Sequence, residues 1–315
     1  MVKKNLLVVG GLGFVGSNFV NYMTKKHFTK YNVIILDKSC NIENVIESKN
    51  IHLLREDILD YEKVKEILVD KKIDIIVNFA ELNDRRSKSK ELNEINLQGT
   101  KNLLEAAYKV WGENSDNKFI QISNSEVYGI KGDEYYFTEL DKLDLDCSEY
   151  IRSKVYADWM SIAYFKQYGL NINIARLSNC FGPNQKEDKL IPRIIYDGLF
   201  GKKVVIKENM ITNYISVNDA CIAIDLILQK GVKGEIYNIA GNKKLSNLDI
   251  AKYILSHLGE DEKLVNNTKN NENKKILVSN TKIEKELNFK ENSNFEKEMN
   301  KTIIYYVKKF SKEKR

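Results

Sequence analysis

The sequence predicts an α/β fold, a doubly wound parallel sheet with a smaller α/β unit woven into it, on three observations. As far as Ile122, short apolar runs alternate with amphipathic stretches. Three evenly spaced glycines follow the first of those runs, and beyond Leu177 the alternation loses its regularity. Repeated strand–helix alternation is the mark of a parallel sheet with helices on both faces.

Taken in order, Leu6–Val9 is the first strand and Ser17–Phe28 the first helix. Val33–Leu36 and Ile51–Leu54 are strands, and Tyr61–Val69 has helical spacing. Ile73–Phe79 is a further strand, followed by a helix over Glu91–Trp111 and a strand over Phe119–Ile122. A helix fits Glu149–Gln167 and a strand Ile172–Leu177. Lys189–Phe200 reads as a helix because Pro192 falls near its first turn, where the missing N–H costs nothing. Short strands fit Val204–Ile206 and Tyr214–Val217, a helix Asp219–Gln229 and a strand Ile236–Ile239. The polar stretch Asn266–Lys275 is expected to be a loop, and Phe295–Phe310 closes the chain as an amphipathic helix. The sequence contains no internal repeat.

The 315 residues, 43% of them hydrophobic, can bury a large core. A net charge of +6 is spread along the chain; its densest cluster, Lys308, Lys309, Lys312, Lys314 and Arg315, reads as a solvated tail, so nucleic acid is not an expected partner. No apolar run has the length of a membrane span. Cys40, Cys147, Cys180 and Cys221 are widely spaced and the start of the chain lacks an apolar signal region, which predicts reduced thiols and a cytoplasmic address. His27, His52 and His257 have no metal-ligand spacing, so no metal site is expected and proton chemistry falls to other groups.

Gly10, Gly13 and Gly16 stand directly after the strand Leu6–Val9 and before a helical pattern. Glycines there allow a tight turn and let backbone N–H groups reach a pyrophosphate at the helix N-terminus, the arrangement of a Rossmann-type dinucleotide site. A bare glycine-rich turn is the competing reading; the strand–loop–helix context favours the dinucleotide. Asp37 ends the next strand, where a carboxylate accepts hydrogen bonds from ribose hydroxyls and repels a 2′-phosphate, which favours NAD over NADP. Lys38 beside it is a cation that softens that repulsion. Asp57 and Ile58 follow the third strand at a place suited to adenine contact, with a plain strand-end carboxylate as the rival reading.

Tyr150 and Lys154 lie one helical turn apart, so an ammonium near the phenol is expected to favour phenolate. A phenolate can take a proton from a sugar hydroxyl while hydride leaves the carbon. The same spacing occurs at Tyr22/Lys26, Tyr61/Lys65 and Tyr305/Lys309. Position separates them: only Tyr150 follows the fifth strand and begins a helix passing the carboxyl ends of the sheet, where ligands bind.

Over roughly residues 5–250 these features resemble a family. The glycine segment including Phe14 and Val15, Asp37, Asp57-Ile58, the Asn-Phe-Ala-Glu run holding Phe79 and Ala80, Asn96 through Thr100, Ile-Ser-Asn-Ser-Glu-Val-Tyr-Gly, Tyr150/Lys154 and Lys-Leu-Ile-Pro-Arg-Ile-Ile resemble the extended short-chain dehydrogenase/reductases that act on nucleotide sugars. The dTDP- and UDP-glucose 4,6-dehydratases are the nearest branch. The resemblance implies bound NAD, oxidation of the sugar at C4, loss of water across C5 and C6, and return of hydride to C6. It implies a dinucleotide-binding domain over 1–177 with about 213–241, and a nucleotide-sugar domain over 178–212 with about 242–315. Besides the glycine loop, it assigns Phe79, Ala80 and Asn96 to the cofactor, along with Tyr150 and Lys154. Asn179, Leu190 and Asn83 fall at substrate positions. A homodimer through a four-helix bundle of Glu91–Trp111 and Glu149–Gln167 is also implied, Trp159 and Ile162 being apolar residues suited to it.

The chain departs from the family pattern where the chemistry is concentrated. Its strand-end triplet is Asn124, Ser125 and Glu126 in place of Thr-Asp-Glu, so Glu126 keeps the role of base while the leaving-group acid becomes a serine. An amide at Asn124 donates a hydrogen bond but relays no proton. Thr212 stands where the family has an arginine for the pyrophosphate; Lys189, Arg193 and Lys275 are candidate substitutes. Glu81 replaces an alanine in a loop about three residues shorter than the pattern. The expected reaction is 4,6-dehydration of a nucleoside-diphosphate hexose. Epimerisation or UDP-glucuronate decarboxylation through the same 4-keto intermediate is the alternative that tolerates Ser125, and an NAD-binding homologue without turnover is the third.

Overall fold

A computed structural model describes residues 2–83, 87–132, 134–206, 209–267 and 274–313. The chain begins β1 (Lys4–Val9), α1 (Phe14–Lys26), β2 (Tyr31–Asp37), β3 (Ile51–Arg55), α2 (Tyr61–Asp70) and β4 (Ile75–Asn78). Then come α3 (Ser89–Leu92), a π-helical segment (Asn93–Gly99), α4 (Thr100–Trp111), β5 (Lys118–Asn124), a 3-10 turn (Ser125–Tyr128), β6 (Tyr136–Phe137), α5 (Glu149–Tyr168) and β7 (Asn171–Leu177). The remainder is β8 (Asn179–Phe181), α6 (Leu190–Leu199), β9 (Val204–Ile206), β10 (Met210–Ser216), α7 (Val217–Lys230), β11 (Ile236–Ile239), β12 (Lys243–Ser246), α8 (Asn247–Leu258), β13 (Val265–Asn267), β14 (Lys274–Val278), α9 (Thr281–Leu287) and α10 (Phe295–Glu313).

Seven strands form a parallel sheet in the order β11-β7-β5-β4-β1-β2-β3. Alternate residues of each strand face opposite layers. Leu6, Val8, Val33 and Ile35 meet Phe19, Val20 and Met23 of α1 and Ala223, Ile224 and Ile227 of α7. Leu7, Val9, Ile34 and Leu36 meet Val64 and Leu68 of α2 and Leu103, Leu104 and Ala107 of α4. This is the expected doubly wound α/β sheet. From β3 the chain crosses to β4 on the other side of β1, so the strand order reverses between β1 and β4 and opens a crevice at their carboxyl ends.

The woven-in unit is a second sheet in the order β12-β10-β14-β6, with β8 paired to β10. Its core joins Phe181, Ile194 and Ile195 to Ile250 and Ile254 of α8 and Met299 and Tyr306 of α10. The two units share chain more closely than the expected boundaries describe. β6 lies within the first segment yet pairs with β14, and Ile283, Leu287 and Phe289 lie within the last segment yet pack under the first sheet.

Several elements differ from expectation. Helix α1 starts at Phe14 rather than Ser17, because its first turn includes Gly16. Within the predicted helix 91–111 the segment Asn93–Gly99 is π-helical, with Asn96 turned inward. Val217 opens α7 instead of ending a strand, since the Ser216 hydroxyl accepts from Asp219 N–H and caps the helix. Helix α8 was not foreseen; its signal is the Ser246/Asp249 capping box. Of the expected loop 266–275, residues 268–273 lie outside the described ones, and its ends belong to β13 and β14.

Candidate active site

The carboxyl ends of β1, β2, β4, β5 and β7 open onto a cleft of about 810 Å³ whose far wall comes from β8, α6 and β10. At its near end the chain leaves β1 through Gly10 at φ +70°, where a Cβ would lie 2.7–2.9 Å from backbone atoms of Phe79 and Ala80. A Cβ on Gly16 would stand 2.3 Å from the Gly10 carbonyl. The loop is therefore pressed against both β4 and α1, and only glycine fits at those two positions. Gly13 caps α1 without a side-chain hydrogen bond, and no acidic residue occupies the first turn. Phe14, Val15 and Gly16 line the cleft there, so the unpaired amides and the positive end of the helix dipole suit an anion.

Asp37, at the end of β2, lines the same cleft. Its carboxylate accepts from the N–H of Leu12 at 3.0 Å through one oxygen and from Ser39 N–H at 3.0 Å through the other. It thus ties the glycine loop to β2 while lining the cleft. Lys38 and Asp57 form a 3.8 Å ion pair with both side chains exposed. Asp57 also accepts from Leu59 N–H at 3.0 Å, so it serves the loop geometry as well as lining the cleft with Ile58. The chain's own residues fit a dinucleotide: a glycine cradle, an open helix N-terminus and a ribose-side carboxylate.

Deeper in the cleft, β5 delivers Asn124, Ser125 and Glu126 on its 3-10 turn, and the first turn of α5 delivers Tyr150. Asn124 Nδ2 donates to the Tyr150 oxygen at 3.0 Å while Asn124 Oδ1 accepts from Glu126 N–H at 3.0 Å. The Tyr150 hydroxyl donates to Glu81 Oε2 at 3.3 Å. Lys154 Nζ meets that same Glu81 oxygen at 3.1 Å and donates to the Ile122 carbonyl at 2.9 Å.

These neighbours work against the expected phenolate. Burial, then the carboxylates of Glu81 and Glu126, push the Tyr150 phenol well above its ordinary range, and the Asn124 hydrogen bond pulls the other way. Burial would raise Glu81 too, but the Lys154 charge and the hydrogen bonds from Lys154, Asn83 and Tyr150 outweigh it and hold this carboxyl below its usual range. Lys154 is therefore matched to Glu81 and does not act alone on the phenol.

At the far wall, Asn179 Nδ2 donates to Thr212 Oγ1 at 3.0 Å. Lys189 Nζ donates to the Asn83 carbonyl at 3.2 Å, bridging the wall to the loop after β4, and Leu190 lines the cleft beside it. Arg193 and Lys275 do not line the cleft. Arg193 reaches the Val205 carbonyl at 3.3 Å, and Lys275 lies next to the cleft-lining Ile276, so strand alternation turns it to the opposite face. Lys186, absent from the sequence-based candidates, lines the cleft instead. Asn96 and Lys154 sit behind the wall. Asn96 binds both backbone groups of Leu82 and donates to Ser153 Oγ at 2.9 Å, which fixes the Glu81 loop to α5. Tyr214, hydrogen-bonded to Asn247 at 2.9 Å, completes the wall; neither residue was among the candidates. Phe79 and Ala80 line the cleft as expected.

Among the described residues no group of three His, Cys, Asp or Glu is placed to hold a metal ion, and no helix is long and apolar enough to cross a membrane.

The model of a family described as GDP-mannose 4,6 dehydratase matches residues 7–302. A dTDP-D-glucose 4,6-dehydratase of Dictyostelium discoideum is 34% identical over 80% of this chain and 62% of its own length. The chain thus spans less than two thirds of that relative. A probable dTDP-glucose 4,6-dehydratase of Sinorhizobium fredii is 30% identical over 96% of this chain and 92% of its own. The crystal structure of dTDP-glucose 4,6-dehydratase from Bacillus anthracis in complex with NAD superposes with a TM-score of 0.88 at 32% identity, covering 97% of each chain.

Proposed function

Because the chain belongs to the family described as GDP-mannose 4,6 dehydratase, we propose that it binds NAD in this cleft and dehydrates a nucleoside-diphosphate hexose across C5 and C6. The observation that carries the reading is the meeting of Tyr150, Asn124 and Glu126 at the carboxyl edge of the sheet, in one cleft with the glycine loop. NAD, when bound, supplies the hydride acceptor and later returns that hydride.

Gly10, Gly13 and Gly16 let the backbone approach the pyrophosphate, and Asp37 takes the ribose hydroxyls. Tyr150, as phenolate, accepts the proton of the C4 hydroxyl and becomes neutral; the Asn124 amide donates into its oxygen and so favours the charged form that precedes the transfer. Glu126 removes the C5 proton, made acidic by the 4-keto group. Lys186 and Lys189 supply positive charge for the substrate diphosphate, the task left open by Thr212, and Asn179 orients the sugar end. In this reading the second sheet with α6, α8 and α10 forms the substrate-binding unit, while Ile283, Leu287 and Phe289 belong with the first sheet. Tyr156 and Trp159, exposed on α5, support a homodimer through α4 and α5. The four free cysteines support a reducing, cytoplasmic setting.

One observation favours a second reading. Ser125, buried and weakly acidic, stands beside Glu126 where dehydration wants an acid for the leaving hydroxyl. Epimerisation or decarboxylation through the 4-keto sugar needs no such acid. Incubating the NAD-loaded protein with dTDP-glucose, UDP-glucose, GDP-mannose and UDP-glucuronate, with mass spectrometry of the products, separates these outcomes. Loss of water supports dehydration; an isomer or a pentose transfers support to the second reading. Absence of any transient in reduced-nicotinamide absorbance overturns both.

A further inference from the structure

The Tyr150 hydroxyl has two neighbours of opposite effect. Asn124 donates a hydrogen bond to it and so favours a negative oxygen, whereas Glu81 accepts its proton and so favours the neutral phenol. Glu81 does more than accept, because the oxygen facing the phenol is also the one that engages Lys154, while Asn83 Nδ2 donates to its other oxygen at 3.1 Å. With its side chain 28% exposed and that of Lys154 only 4%, the pair sits where screening by water is incomplete. A carboxylate between an ammonium and a phenol cancels the field the ammonium would exert on the phenol.

We propose that Glu81 is a positioning residue for Tyr150: it holds the phenol proton and occupies Lys154, and thereby sets the pH above which Tyr150 can serve as a base. This rests on the reading of Tyr150 as the proton acceptor for the C4 hydroxyl. Among the described residues, the titratable groups that face Tyr150 are Glu81 from the loop after β4, Glu126 from the turn after β5, Lys154 from its own helix and the Cys147 thiol from the loop before α5. Glu81 touches both the phenol and the ammonium. The proton balance is simple. In the resting state the phenol O–H is intact and Glu81 is ionised; the phenol must first give its proton to bulk water before it can take the proton of the C4 hydroxyl, and a carboxylate at hydrogen-bond distance opposes that first release.

The test compares the NAD-loaded protein with Glu81→Gln, which keeps an acceptor and removes the charge, and with Glu81→Asp, which keeps the charge. Tyr150 is followed by NMR of ring-labelled tyrosine, its resonance assigned by its loss in Tyr150→Phe. In Glu81→Gln the phenol should titrate lower by about one pH unit or more, a tenfold change in its ionisation. Glu81→Asp should stay near the parent. The rising limb of the pH profile for single-turnover NAD reduction should move by the same amount. If Glu81→Gln fails to fold, Glu81→Ala is titrated in its place. An unchanged Tyr150 titration in the neutral variant overturns the proposal, because a purely structural role would lower the rate without moving the limb. Titration needs no substrate, so failure of every sugar nucleotide to reduce NAD would overturn the functional reading while leaving Glu81 decided by NMR.

Discussion

Asn124 and Tyr150 meet with the amide nitrogen 3.0 Å from the phenol oxygen, and the amide can be only the donor. The other end of the same side chain caps the following turn at Glu126 N–H. Asn124→Asp keeps that cap and replaces the donor with a negative oxygen. A hydrogen bond to a charged group contributes about 1.5–3 kcal/mol, so NAD reduction in single turnover should slow by roughly 10- to 100-fold or more. An undiminished rate would remove Asn124 from the account of the phenol.

Asp37 holds the glycine loop through Leu12 and offers its carboxylate to the cleft. Asp37→Ala should weaken NAD binding by about tenfold or more, in line with loss of a charge-assisted hydrogen bond, and should weaken NADP binding less, since the repulsion of a 2′-phosphate disappears with it. Calorimetry with both dinucleotides measures the ratio. A ratio equal to that of the parent would mean that ribose recognition lies elsewhere.

At Gly10 a methyl group would meet the backbone of Phe79 and Ala80 in a left-handed conformation. Gly10→Ala should lower the melting temperature and abolish measurable NAD binding, because the loop must leave β4 to relieve the contact. Retention of parent affinity would contradict the close packing described above.

Arg176 and Asp158 form a 2.9 Å ion pair with side chains 2% and 0% exposed, and Arg176 also donates to the Tyr128 hydroxyl at 2.8 Å. Arg176→Met strands a buried carboxylate and should cost about 3–5 kcal/mol in denaturant unfolding. Arg176→Met combined with Asp158→Leu should recover part of that loss, since no buried charge is then left without its partner.

Lys118 opens β5 of the first sheet, with its ammonium donating to the carbonyls of Ile227, Leu228 and Gly231, and burial lowers it from 10.5 to about 8. Between those values the unfolded chain keeps a proton that the folded chain has lost. Stability from this site therefore rises with pH across the window, and the burden of the buried charge is full only below about 8. Melting curves of the parent and Lys118→Met should converge or cross in the parent's favour between about pH 8 and 10. A difference that does not change with pH would contradict the sign.

Much of the first sheet was legible because its signals are local. Leu6–Val9, Val33–Leu36 and Phe119–Ile122 lie within the observed β1, β2 and β5, each lengthened by a few residues, most of them polar, that hydrogen bond in register. The second unit was less legible. Strands β8, β12 and β14 are short, and β14 pairs with segments far away in the chain, so no periodicity marks them. Among site residues, the glycine loop and Asp37 follow from a strand–loop–helix pattern. Arg193 and Lys275 do not line the cleft, because charge can be read from a sequence but the face of the element that carries it depends on register.

Residue order alone determined the doubly wound sheet, the glycine turn at its first crossover and the shared helical face of Tyr150 and Lys154, since each follows from spacings of a few residues. Tertiary structure alone decided what the phenol meets. Glu81 reaches Tyr150 across 69 residues of chain, and Lys154 turns to that carboxylate and to the Ile122 carbonyl. The reason is physical: the charge state of a buried group depends on every charge within a few ångströms in space, and chain distance carries no information about that set.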